Sequence, residues 1–234
     1  MHVEIWSDIA CPWCYVGKRR FETALALFAH RETVTVSWRS FELDPQAPAQ
    51  YDMTQPELLA RKYGKSLPEA HAMNAQMTAA AAAEGLSFRL SEMKVGNTFD
   101  AHRLLHLAGT HGKRDVLGER LFAAYLGEGA ALSDPGTLVA LAAEAGLDGD
   151  AVRTMLRGDA YANEVRREEA EARELGVTGV PFFVIDRRYG VSGAQSPEVL
   201  QEVLQRAWDE RAPTVAALDD HTGAAACTDD GCAV

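Results

Sequence analysis

Cysteine is scarce in this 234-residue chain, with four residues arranged as pairs at 11 and 14 and at 227 and 232. So few cysteines exclude a disulfide-stapled scaffold, and a 47% hydrophobic content is enough to build a packed core without staples. Basic residues are also in deficit: 23 Lys and Arg against 34 Asp and Glu leave a net charge of −11. That balance excludes a nucleic-acid partner, which needs clustered positive charge against phosphate. No run approaches the ~18 apolar residues of a membrane-spanning helix. The amino terminus lacks the basic and apolar regions of a secretory signal, so the expectation is a cytoplasmic protein without a membrane partner. In that reducing compartment a disulfide is catalytic or sensory rather than structural.

His2 to Trp6 alternates polar and apolar residues as a strand does, and Ser7-Asp8 breaks the pattern. A helix is expected from Pro12, which suits a first turn because its missing N–H would have no partner there. Val16, Phe21, Leu25 and Phe28 then recur at helical spacing. Thr33 to Trp38 reads as a second strand. From Thr54 to Gly176 the chain turns to alanine, leucine and alternating charge, with helices expected at 55–63, 67–84, 98–110, 114–127, 135–145, 149–156 and 160–175. Gly85, Gly146 and Gly176 read as helix stops. Strand character returns in Phe182 to Ile185 and Tyr189 to Val191, a hairpin turning at Asp186-Arg187-Arg188, before a last helix from Ser196 to about Arg211. The expectation is an α/β domain in two pieces, 1–53 and 177–213, split by a helical block over 54–176, with a flexible tail over 214–234.

Cys11-Pro12-Trp13-Cys14 places its first sulfur at a helix start. There the unpaired N–H groups and the helix dipole favour the thiolate, the species that attacks a disulfide. Cys14 lies about one turn on, within bonding reach, and fits the resolving role. Trp13 offers the thiolate only an indole, which suits reduction or isomerisation better than strong oxidation. The competing reading, half of a zinc site, needs two further ligands nearby, and the other cysteine pair lies in the tail. Gly176-Val177-Thr178-Gly179-Val180-Pro181-Phe182 sets a proline before an apolar strand. Alone, that segment reads as a trans proline at a strand's first position.

With these segments in view, the sequence resembles the DsbA-like branch of the thioredoxin superfamily, most closely its FrnE-like dithiol–disulfide isomerases. The resemblance spans about residues 1–212 and rests on Ser7-Asp8 leading into Cys11 to Gly17, on Asn97 to Arg103, and on Gly179 to Phe183. It implies a thioredoxin fold interrupted by an all-helical insertion, Cys11 as nucleophile, Cys14 as its partner, and Pro181 as a cis proline facing them. Trp13, Val180, Pro181, Asn97 and His102 are then expected to line the substrate cleft. Protein disulfides and thiols are the expected partners, with glutathione as a second candidate, and no cofactor is expected. The same branch holds glutathione-dependent transferases and isomerases that carry Ser where Cys11 stands, so a small-molecule isomerase is the rival enzyme.

His102 and His106 share a helix face, with Asp100 as a candidate to orient one of them. No third ligand follows at helical spacing, so no metal site is expected. Asp8 reads either as a turn residue or as a carboxylate near the dithiol that acts on its protons. Arg166 to Glu169 reads as a solvated face. Cys227 and Cys232 read as a secondary redox pair, against an incidental local disulfide or soft-metal capture; a binding protein that uses them without turnover is the non-enzymatic alternative.

Overall fold

The computed structural model describes residues 1–211. The expectations for the tail, including Cys227 and Cys232, concern residues outside that range.

Strand β1 (His2–Ser7) leads into helix α1 (Pro12–Leu27), which returns the chain to β2 (Thr35–Ser40). Helices α2 (Gln55–Tyr63), α3 (Leu67–Ala83), α4 (Phe99–Thr110), α5 (Arg114–Gly127), α6 (Pro135–Glu144), α7 (Gly149–Arg157) and α8 (Ala162–Glu174) follow. The hairpin β3 (Phe182–Ile185) and β4 (Tyr189–Ser192) and helix α9 (Pro197–Asp209) complete the order. The sheet runs β2-β1-β3-β4. Its first pair is parallel, which requires a crossover such as α1, and the other two pairs are antiparallel. This is a thioredoxin fold carrying a helical insertion between β2 and β3.

Alternation along β1 divides its side chains between two faces. Val3 and Ile5 pack with Phe21 of α1, with Phe28 at its C-cap, and with Leu200 and Leu204 of α9. Trp6 faces the other way, toward Ala172 of α8, and its indole N–H donates to the Glu168 carbonyl at 3.0 Å. A separate core fills the helical block, and it includes Cys11, Cys14, Tyr15 and Val16 from the first turns of α1.

Two expectations need correction. The second strand begins at Thr35 rather than Thr33, because Arg31–Thr33 closes a 3-10 turn and Thr35 N–H pairs with the Met1 carbonyl at 2.8 Å. The charged run on α8 is not a solvated face: Glu168 and Glu169 are buried. Glu168 accepts from Ser40 N–H at 2.7 Å and from Arg39 at 3.1 Å, so a carboxylate closes the end of β2 against α8.

Candidate active site

Cys11 occupies the N-cap of α1 in extended backbone geometry, with φ −94° and ψ 109°. Its N–H donates to the Asp8 carbonyl, and Cys14 N–H donates to the Cys11 carbonyl, each at 3.0 Å. These bonds fold the dithiol into one turn. Both are free thiols, 6% exposed for Cys11 and 0% for Cys14. Cys11 therefore keeps only slight exposure, less than the sequence suggests, and Cys14 has none. Burial and the adjacent Cys11 thiol push the Cys14 thiol well above the ordinary cysteine range.

The proline loop meets this turn from the opposite side. Val180-Pro181 is a cis peptide, and Cys11 Sγ donates to the Val180 carbonyl at 3.5 Å. The approach depends on Gly17, where a Cβ would lie 2.9 Å from the Pro181 ring. Trp13 points outward and is 45% exposed.

Behind the dithiol lies Asp8, 1% exposed. It accepts from Ala10 N–H at 3.0 Å and Leu43 N–H at 2.7 Å, and from the Thr98 hydroxyl at 3.0 Å. His102 Nε2 stands 3.4 Å from the same carboxylate. Burial alone would raise the Asp8 pKa, but the bonds from His102 and the backbone outweigh it and hold the group below its usual value. Asp8 thus makes the expected turn and also carries a buried negative charge.

Three assignments around it change. His102 is 1% exposed and faces Asp8, so it belongs to the interior behind the sulfurs and cannot line an open cleft. His106 bonds with Ser40 and faces Glu168, so the two imidazoles serve different carboxylates. Asp100 pairs with Arg103 at 2.7 Å and orients neither histidine. Asn97 is partly buried at the start of α4, where its Oδ1 accepts from Phe99 N–H at 2.8 Å and its amide reaches Glu42 at 3.4 Å.

Sequence reading missed Ser7, Thr98 and Glu42. Ser7 had a signal, as the one polar side chain on the Val3-Ile5-Ser7 face of β1. Glu42 had none: burial, with Arg166 and Glu169 pulling in opposite directions, raises its pKa to about 6.

A dithiol at a helix start, opposed by a cis-proline loop on a thioredoxin sheet, is the arrangement of a thioredoxin-fold oxidoreductase. The chain belongs to the DSBA-like thioredoxin domain family, whose model matches residues 2–205. It is 51% identical to a probable DsbA oxidoreductase from Streptomyces coelicolor, with a TM-score of 0.88 covering 100% of this chain and 99% of that one. It is 28% identical to the uncharacterized protein YwbO of Bacillus subtilis, covering 87% of this chain and 96% of that protein. The cytosolic disulfide reductase DsbM of Pseudomonas aeruginosa shares the fold at 17% identity and a TM-score of 0.58, covering 89% and 99% of the two chains.

Proposed function

We propose that the chain reduces and isomerises protein disulfides, with Cys11 as nucleophile and Cys14 as resolving thiol. The observation that carries this reading is the asymmetry of the pair: Cys11 keeps some exposure and its sulfur has a carbonyl partner, and Cys14 is sealed. The Cys11 thiolate attacks a substrate disulfide, forming a mixed disulfide and releasing one substrate thiolate. That thiolate then attacks another disulfide of the substrate, which is isomerisation. Otherwise Cys14 attacks Cys11, which releases the substrate reduced and leaves the enzyme oxidised. Backbone at Val180 and Pro181, together with Trp13 and Asn97, is the surface proposed to receive the substrate chain.

Regeneration in a reducing cytoplasm requires a thiol donor. Glutathione is the proposed one, and DsbM, which shares the fold, has been solved with GSH. The tail thiols Cys227 and Cys232 are a second electron source to be tested by deletion.

Refolding of a scrambled disulfide protein tests the proposal. The native enzyme should accelerate it, Cys11→Ser should not, and Cys14→Ser should accumulate the mixed disulfide. Equal rates for the native enzyme and Cys11→Ser would overturn the reading. Saturable glutathione binding with turnover of a small electrophile, unaffected by Cys14→Ser, would favour the small-molecule isomerase instead.

A further inference from the structure

Two buried polar atoms, Ser7 Oγ and His102 Nδ1, have no hydrogen-bond partner among the described residues. Their residues are 6% and 1% exposed. An orphaned buried polar group is costly, so in a folded protein it points to water or to chemistry. Both residues line one cavity of about 30 Å³. A water needs roughly 10–15 Å³ by this measure, so there is room for one or two.

The cavity reaches the inner sulfur through one wall residue, Ser7. Alternation along β1 turns Ser7 toward α1 with Val3 and Ile5, and its hydroxyl stands beside the Cys14 thiol and favours its ionisation. Lys18 forms another part of the wall and lies one helical turn beyond Cys14 on the same face of α1. On the far side, His102 Nε2 faces the ionised Asp8. The imidazole proton therefore belongs on Nε2, which leaves the Nδ1 lone pair turned into the cavity.

We infer that His102 is the proton acceptor for Cys14, reached through the Ser7 hydroxyl and water held in this cavity. The inference rests on the reading of Cys14 as the resolving thiol. In that step Cys14 Sγ gives its proton to Ser7 Oγ, which passes its own proton to the water and so to His102 Nδ1. The Cys14 sulfur attacks Cys11, the Cys11–Cys14 bond forms, and the Cys11–substrate bond breaks with its electron pair leaving on the substrate thiolate. A buried thiol with no exposure cannot lose its proton to bulk solvent directly, so an internal acceptor is what the step requires.

Charges around the cavity fit the transfer. Lys18, Arg39, Arg114 and Asp115 face it, and Asp8 sits behind the imidazole with Tyr125 nearby. Asp8, facing Nε2, stabilises the positive charge that the ring takes up in the transfer. Release of the proton also has a route. Trp38, Arg39, Arg114 and Asp115 are shared with a cleft of about 330 Å³ along β2, the sheet edge, on the side away from the Val180 loop.

Reaction with 5,5′-dithiobis(2-nitrobenzoate), in full-length protein carrying Cys227→Ser and Cys232→Ser, reads the two steps separately. The first nitrothiolate released reports attack by Cys11, and the second reports resolution by Cys14. In His102→Gln, which keeps a donor for Asp8 and loses the acceptor, the second release should slow by about a hundredfold. Its rate should also go on rising with pH where the parent has levelled. Ser7→Ala, which removes a single hydroxyl and should fold, should slow the second release by about tenfold. The first release should stay within about twofold in both, since neither residue acts on Cys11. An unchanged second release in Ser7→Ala, or equal slowing of both steps in both variants, would overturn the relay. A parent that gives no first release would overturn the nucleophile assignment itself, and the relay with it.

Discussion

The two apolar cores of this molecule share a helix and differ in what they enclose. The core between the sheet and α1 is sealed by aliphatic and aromatic groups such as Ile5, Phe21, Phe28 and Phe183, and it carries no reactive group. The core of the helical block takes the opposite end of α1 and holds both sulfurs. The thioredoxin portion therefore fixes where the dithiol sits, through the helix start and the Val180 carbonyl. The insertion supplies its surroundings: the burial of Cys14, and the Thr98 and His102 side chains that hold Asp8. Chemistry is placed by one unit and tuned by the other.

A matched pair of cavities tests that division most severely. Phe122 stacks on Tyr15, next to Cys14, at 5.0 Å between centroids, and Phe183 packs on Phe21 at 5.6 Å. Both rings are buried, so Phe122→Ala and Phe183→Ala should each cost about 3–5 kcal/mol in urea unfolding. Only Phe122→Ala should open Cys14 to alkylation, read by mass spectrometry in native buffer. Equal labelling of Cys14 in the two variants would erase the distinction between the cores.

A polar seam runs along α8, where two carboxylates should give opposite pH slopes. Glu168 is buried, but His106, Arg114 and Ser40 N–H outweigh the burial and lower its pKa to about 2 from 4.5. Its contribution is complete above the unfolded value of 4.5 and is lost as pH falls toward 2, amounting to about 3 kcal/mol. Glu42 is raised to about 6, so its term is present below 4.5 and is lost as pH rises through 6, about 2 kcal/mol in the other direction. Urea midpoints between pH 3 and 7 should show Glu168→Gln removing the acid-side loss and Glu42→Gln removing the decline toward neutrality. Parallel pH profiles for wild type and both variants would show that neither carboxylate is perturbed.

Smaller still is the hydroxyl that the insertion lends to Asp8. Thr98→Val keeps the shape and deletes one bond to a buried carboxylate, so a loss of about 1.5–3 kcal/mol is expected at pH 7. The loss should shrink as acid protonates Asp8, because Asp8 is held below its usual value and its stabilising term disappears as pH falls through that value. A loss independent of pH would mean that Thr98 packs rather than donates.

Much of this arrangement was legible in the sequence because short-range physics decides it. Pro12 at a first helical turn, Ser196 and Asp134 as N-caps, and Gly85, Gly146 and Gly176 at positive φ are local devices, and they set helix limits to within two residues. The dithiol turn was legible for the same reason. What escaped depends on distant segments meeting. Nothing near Glu168 in the chain shows that Ser40 N–H and Arg39 await it, and helical spacing cannot tell that His102 and His106 turn to separate carboxylates. The start of β2 moved because pairing with β1 fixes it, His2 against Thr35, while alternation alone runs on through Thr33.

Trp13 gives the smallest effect on stability and a clean separation of binding from folding. It lies between the two cysteines, one of them wholly sealed, yet it is 45% exposed. A large apolar side chain left in water at the mouth of a reactive site contributes little to the core, so Trp13→Ala should change unfolding free energy by no more than about 0.5 kcal/mol. The indole is worth more to a substrate chain laid across the dithiol, where it can cover apolar surface and stack. Steady-state reduction of a disulfide peptide should therefore show a KM raised severalfold with kcat nearly unchanged, the signature of lost uniform binding. A fall in kcat at constant KM would instead make Trp13 part of the thiolate's own environment, and would move it to the same side of the comparison as Asp8 and His102.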